Sequence, residues 1–209
     1  MAAIDLGVMQ RLDPWLGDCR LQFFQDADRT IHQGGARAPF KLLRAENGEN
    51  GRCEIPLLHT AGGLVGGDQL NISLDLEASS RSLITSVAAQ KVYGSIGRSH
   101  LSPQGSWAQQ QVNCQLSSNS DLEWLPQELV VYADALYEQQ LTVRLPENAS
   151  FLGAEIVRLG RTAAGETLQQ GRWRSALSIQ RVNENSSAPQ RWELVDRLEL
   201  DNASLHDLH

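Results

Sequence analysis

LNISLDLE, residues 70–77, puts Leu70, Ile72, Leu74 and Leu76 on one side of an extended chain and Asn71, Ser73, Asp75 and Glu77 on the other. Period two sustained over this length marks a strand with one face in a core and one in water. The same alternation recurs in weaker form over Ala108–Leu116, then cleanly at Leu141, Val143 and Leu145, and again at Leu177 and Ile179. Trp192, Leu194, Asp196, Leu198 and Leu200 also alternate, with Asp196 in a slot where an apolar residue is expected. Turn-forming clusters separate the runs: ENGENGR at 46–52, SPQGS at 102–106, SSNSD at 117–121 and NENSSAPQ at 183–190. Many short strands with this punctuation predict a mainly β chain. No fixed-period repeat is visible.

One segment carries helical spacing. Phe151, Leu152, Ile156 and Leu159 share a face, Asn148 or Ser150 offers a cap, and Gly160 stands where a terminating glycine belongs. The reading is a short helix over 151–159 with Glu155 on or beside its apolar face. TSVAAQKVYGS, 85–95, is ambiguous, and LELDNASLHDLH at the end carries no further sheet signal.

HTAGGLVGGDQL, 59–70, is the most unusual string. Its two Gly-Gly pairs call for positive φ or a close approach of another chain segment. It lacks both G-K-[ST] and the G-x-G-x-x-G register, so phosphate-loop readings fail and a glycine-rich corner remains. Asp68, after Gly66 and Gly67, is positioned by backbone rather than packing, and its removal is expected to open no cavity. An Asp that closes its own turn explains the position equally well. His59, six residues after Cys53, is a weak metal signal, and a partly buried structural histidine is the simpler reading. Glu123 and Glu128, or Glu166, admit a carboxylate pair for glycoside hydrolysis, against a tryptophan-anchored turn with solvated acids. No serine-hydrolase elbow or zincin helix exists.

Lys+Arg 18 against Asp+Glu 25 gives a net charge of −7, most of it in the second half. That balance argues against nucleic acid, whose phosphates need clustered cations. It suits a cationic ligand, a metal ion or a basic partner. Cys19, Cys53 and Cys114 form no C-x-x-C pair, and Cys114 alternates with core positions. No run approaches a membrane span and the first residues lack a signal-peptide pattern, so a cytoplasmic protein with no membrane role is expected.

Four strings taken in order resemble the UreD (UreH) family of urease accessory proteins: LLHTAGGLVGGDQL at 57–70, TSVAAQKVYGS at 85–95, LEWLPQELVVYADA at 122–135, and LGRTAAGE with Gly171 at 159–171. The matching positions include Gly62, Gly63, Gly66, Gly67, Lys91, Trp124, Pro126, Gln127, Gly160, Arg161, Gly165 and Glu166. The chain departs from the family at Thr60 or Ala61, where a proline is usual, and at Thr85, Ser86 and Val87, where Thr-Thr-Gln is common. The resemblance implies a single UreD-like β domain over 1–209, built of helical stacked sheets with one or two short α-helices. It also implies that a C-terminal portion of the family fold is missing.

It further implies a scaffold rather than an enzyme, with no tightly bound cofactor and nickel only in transit. The implied partners are UreF-type and UreG-type accessory proteins and apo-urease, with a broad apolar surface covered by the UreF-type partner. A tunnel would carry the metal past weak oxygen ligands. Asp68, Glu155 and Asp196 are the acids expected along it, since water in a tunnel removes the cost of burying them. Trp124 and Leu125 are expected to support the fold. A carbohydrate-active protein and a purely structural interaction module remain the alternatives.

Overall fold

The computed structural model describes residues 13–182 and 190–207. β1 (Leu16–Asp26) and β2 (Arg29–Arg37) form an antiparallel hairpin. The short β3 (Phe40–Leu42) and β4 (Glu46–Asn47) pair antiparallel with β5 (Cys53–His59). From β5 onward the chain winds as a coil, each turn laying strands into separate parallel sheets.

The first turn runs from β5 through a loop to β6 (Gln69–Leu76). The second comprises β7 (Arg81–Ser86), β8 (Gln90–Val92) and β9 (Ala108–Leu116). The third comprises β10 (Asp121–Leu125), β11 (Leu129–Val131) and β12 (Leu136–Leu145). The fourth comprises β13 (Ser150–Gly153), β14 (Val157–Leu159) and β15 (Arg172–Arg181). Stacking the turns gives a seven-stranded sheet β16-β15-β12-β9-β6-β1-β2, a second sheet β13-β10-β7-β5-β3 and a three-stranded sheet β14-β11-β8. β16 (Arg191–Asp201) departs from the winding and runs antiparallel to β15. The expected mainly β, helically stacked architecture is what the chain adopts. The turns differ in loop content, the stretch after β8 being much the longest, which hides the repeat from the sequence.

Corners between the first and second sheets reuse one device. Ser80 Oγ donates to Glu77 O at 2.6 Å and Ser120 Oγ donates to Ser117 O at 2.7 Å. Ser79 and Asn119 take positive φ at equivalent places. Inside, the alternating residues form one core that includes Phe23, Ile72, Leu74, Leu116, Leu122, Val143 and Leu145. Strand periodicity is therefore satisfied as it was read at 70–77 and 108–116.

The helix expected over 151–159 does not form. Those residues belong to β13 and β14, strands of two different sheets, with a corner at Ala154–Ile156. Phe151, Val157 and Leu159 pack on the core, while Leu152 and Ile156 are exposed. Gly160 does have φ +78, but as the exit from β14. Among the described residues the one α-helix is α1 (Asn202–Asp207), where Asp201 Oδ1 accepts from Ser204 N at 2.9 Å. No helix there is long and apolar enough to cross a membrane. The turn cluster expected at 183–190 lies almost wholly outside the described residues, as does His209.

Candidate functional site

The inner strands of the large sheet turn every second residue inward, and one inward rung is polar. Gln110, Gln139 and Ser175 are register partners on β9, β12 and β15. The rung on one side is Ala108, Tyr137 and Trp173, and on the other Val112, Leu141 and Leu177. A row of amides and a hydroxyl in an otherwise apolar interior must find hydrogen bonds or lose several kcal/mol, about 1–3 for each stranded group. Gln139, only 9% exposed, meets this demand by donating Nε2 to Ser175 Oγ at 3.2 Å and to Glu155 Oε1.

Two cavities meet at this rung. One, of about 160 Å³, lies between the sheets and is lined by His59, Gly62, Gly63, Lys91, Pro126, Gln127 and Tyr137 among others. The second, of about 350 Å³, is lined on its apolar side by Leu141, Phe151, Leu177 and Leu194. Gln110, Trp124, Gln139 and Glu155 line both. Six of the motif positions, Gly62, Gly63, Lys91, Trp124, Pro126 and Gln127, thus surround one interior space although they come from three separate strings.

The polar groups around the first cavity are incompletely matched. Tyr137 is fully buried, and its hydroxyl has no protein partner. Burial, reinforced by the Glu155 charge, pushes its pKa far up, so it stays a neutral phenol. His59 Nε2 is also buried without a partner, and burial lowers the His59 pKa against the opposing pull of Asp68. Buried polar groups without a protein partner are commonly matched by ordered water where a polar site has room for it. Glu155 sits at the corner between β13 and β14. The residue as a whole is exposed, but its carboxyl is partly withdrawn from water where it accepts from Gln139 Nε2. Removal from water therefore raises its pKa, and the Gln139 hydrogen bond partly offsets the rise.

The three acids expected on one path are not brought together. Asp68 is 1% exposed and lines neither cavity. Its Oδ1 accepts from Trp15 N and its Oδ2 from Val65 N, each at 2.9 Å, so it closes the glycine corner. Asp196 pairs with Leu177 and shares its face, yet it is exposed because the second sheet does not reach over β16. Only Glu155 faces the interior. Among the described residues no cluster of three His, Cys, Asp or Glu side chains is arranged to hold a metal. Burial pushes the Cys19 and Cys53 thiols up to about 11, and Cys114 higher still, so none supplies a thiolate.

The glycine corner explains its own composition. At Gly63, φ is +152 and a Cβ would lie 2.6 Å from the Tyr93 ring and 2.9 Å from Lys91 O. At Gly66 a Cβ would lie 2.7 Å from Ser106 O. This packing lets Leu64 bridge to Val92 and completes the rung next to β8. Gly66, Arg161 and Glu166 border a separate polar cleft of about 540 Å³. There Glu166 accepts from Ala133 N and pairs with Arg161, whose guanidinium lies 5.1 Å from the Tyr132 ring centroid. Gly165 takes φ +66 at the end of the short turn 162–164, and Gly67 takes φ +100. Glu123 points away from the cavities and is ion-paired to Arg52 at 2.5 Å. Its carboxylate and that of Glu166 are each committed to an arginine, and neither cavity places them together. Trp124 is 8% exposed and Leu125 half-buried.

Comparison with known proteins gives a consistent answer. Residues 16–209 match the model of a family described as UreD urease accessory protein. A "Urease accessory protein UreD" of Synechococcus sp. (strain WH7805) is 70% identical over 207 residues, covering 96% of this chain and 65% of that relative. The protein of the same name in Synechococcus sp. (strain CC9605) is 72% identical over 201 residues, covering 96% and 64%. That of Prochlorococcus marinus (strain MIT 9303) is 55% identical over 203 residues, covering 94% and 67%. The chain therefore spans just under two thirds of the length of the first two relatives.

Proposed function

The chain belongs to the UreD family of urease accessory proteins, and from that premise we propose that it is a maturation scaffold that passes nickel to apo-urease through its interior. UreF-type and UreG-type proteins are the partners in this reading. Nickel is cargo, and the chain itself catalyses no bond change.

The observation that carries the reading is the meeting of two cavities at Gln110, Trp124, Gln139 and Glu155, with half of the motif residues around one of them. A route for a divalent ion needs ligands that release as readily as they bind. One carboxylate, neutral amides, a phenol and bridging waters meet that need, whereas a thiolate or multi-histidine cage would hold nickel tightly. The raised pKa of Glu155 weakens it further as a ligand, because proton and cation compete for the same oxygens.

The test is co-expression of urease with Glu155→Ala. Urease nickel content should fall while the accessory complex still assembles, as judged by pull-down. Unchanged nickel content would reject the route. A purely structural module is the competing reading, favoured by the satisfied Asp68 carboxylate. It predicts that nickel content and partner binding are lost together or not at all.

A further inference from the structure

We infer that Gln139 is the positioning residue that closes the junction between the two cavities and presents Glu155 to the passing cation; this rests on the passage reading above. The side chain breaks the inward sequence Tyr137, Leu141, Val143 and Leu145 on β12, at the rung where the cavities meet. It is buried on a strand packed on both sides by β9 and β15, so its backbone is fixed and only its amide is free to turn.

An ionised carboxylate only accepts hydrogen bonds, so the group facing Glu155 Oε1 is the amide nitrogen. The same nitrogen also donates to Ser175 Oγ, which holds the amide across the junction from one sheet to the opposite corner. In this state one Glu155 oxygen is capped by a donor, which a cation cannot share. Turning the amide over exchanges the donor for the carbonyl oxygen. The junction then offers a carboxylate and an amide oxygen, two hard neutral-to-anionic ligands of the kind a hydrated divalent ion accepts. Ser175 Oγ can donate to that carbonyl as readily as it accepts from the nitrogen, so the turned state keeps a tether. No bond is made or broken, and the amide carries no charge to trap the ion.

The test uses the full chain co-expressed with urease and its accessory partners, with nickel content of purified urease as the first readout. Gln139→Leu preserves bulk but has no acceptor, and should lower the nickel delivered about tenfold or more, as outer-shell substitutions at metal sites do. Gln139→Asn keeps the amide one methylene short and should lower it by a smaller factor. Gln139→Glu offers acceptor oxygens and, when ionised, adds charge, so nickel should instead remain on the accessory complex. That retention, measured by metal analysis after gel filtration, is a signal a merely structural role would not produce. Ala154→Trp, which plugs the second cavity from its corner, separates the two levels of the argument. Wild-type delivery by Gln139→Leu and Gln139→Asn, with Ala154→Trp blocked, overturns the role of Gln139 and leaves the passage standing. Wild-type delivery by all of these variants overturns both.

Discussion

The carboxylate of Asp68 accepts a hydrogen bond from the backbone N–H of Trp15, 53 residues earlier in the chain, at 2.9 Å. Its other oxygen takes the N–H of Val65. One side chain therefore ties the start of β1 to the glycine corner. Asp68→Ala leaves two backbone donors unmatched, at about 1–3 kcal/mol for each that is shut off from water. These bonds favour the turn-closing reading of Asp68, in which its loss lowers stability although no cavity opens. Urea denaturation should show a clearly lowered midpoint for Asp68→Ala, and an unchanged midpoint would contradict the assignment.

Glu155 gives a pH dependence with a definite sign. Its folded-state pKa is raised above the ordinary 4.5 by burial, so the folded chain binds more protons than the unfolded chain between the two values. Stability from this group is complete below the unfolded pKa and is lost as pH rises through the folded one. Glu155→Gln removes that loss. The variant should match the parent near pH 4 and exceed it at pH 8 in urea midpoint. A parent that gains on the variant with rising pH would refute the inward placement of the carboxyl.

Trp124 bridges the two cavities from β10 and is nearly fully buried. Trp124→Ala should cost about 3–5 kcal/mol by lost packing and enlarged void. Because space already adjoins the ring, the lower end is expected. Calorimetry that finds no fall in Tm would count against a structural role.

β16 forms an edge of the large sheet and exposes Trp192, Leu194, Val195 and Leu198. An uncovered strand edge with bare apolar side chains invites pairing with another copy. The isolated chain should self-associate in sedimentation velocity at rising concentration. Trp192→Lys with Leu198→Lys should shift it toward monomer. A parent that stays monodisperse at high concentration would show that this edge is inert.

The strands were legible because a half-buried strand writes its period into any eight residues, as Leu70–Glu77 does. The false helix arose where two short strands of adjoining sheets meet at a corner. Phe151 and Val157 face the core, Leu152 and Ile156 do not, and the spacing across the break mimics a helical stripe. The signal for helix α1 is Asp201 three residues before Ser204, whose N–H and hydroxyl it caps. Gln110 and Gln139 were also visible as polar residues in inward slots of two alternating runs. What the sequence lacked was the register that makes them neighbours. The interior site depends on that stacking. The spacing sets Glu155 beside an apolar helical face that does not form, and it reaches the cavity from a corner instead.

The most direct measurement is the nickel content of urease matured with Ala89→Trp. Ala89 lies in the loop before β8 and lines the smaller cavity, so an indole at this position would take up part of that space. Partner pull-down and circular dichroism run alongside to confirm an intact fold and complex. The account predicts urease with strongly reduced nickel and proportionally reduced activity, while both controls match the parent. Fully loaded urease with the cavity plugged would contradict passage of the metal through this protein.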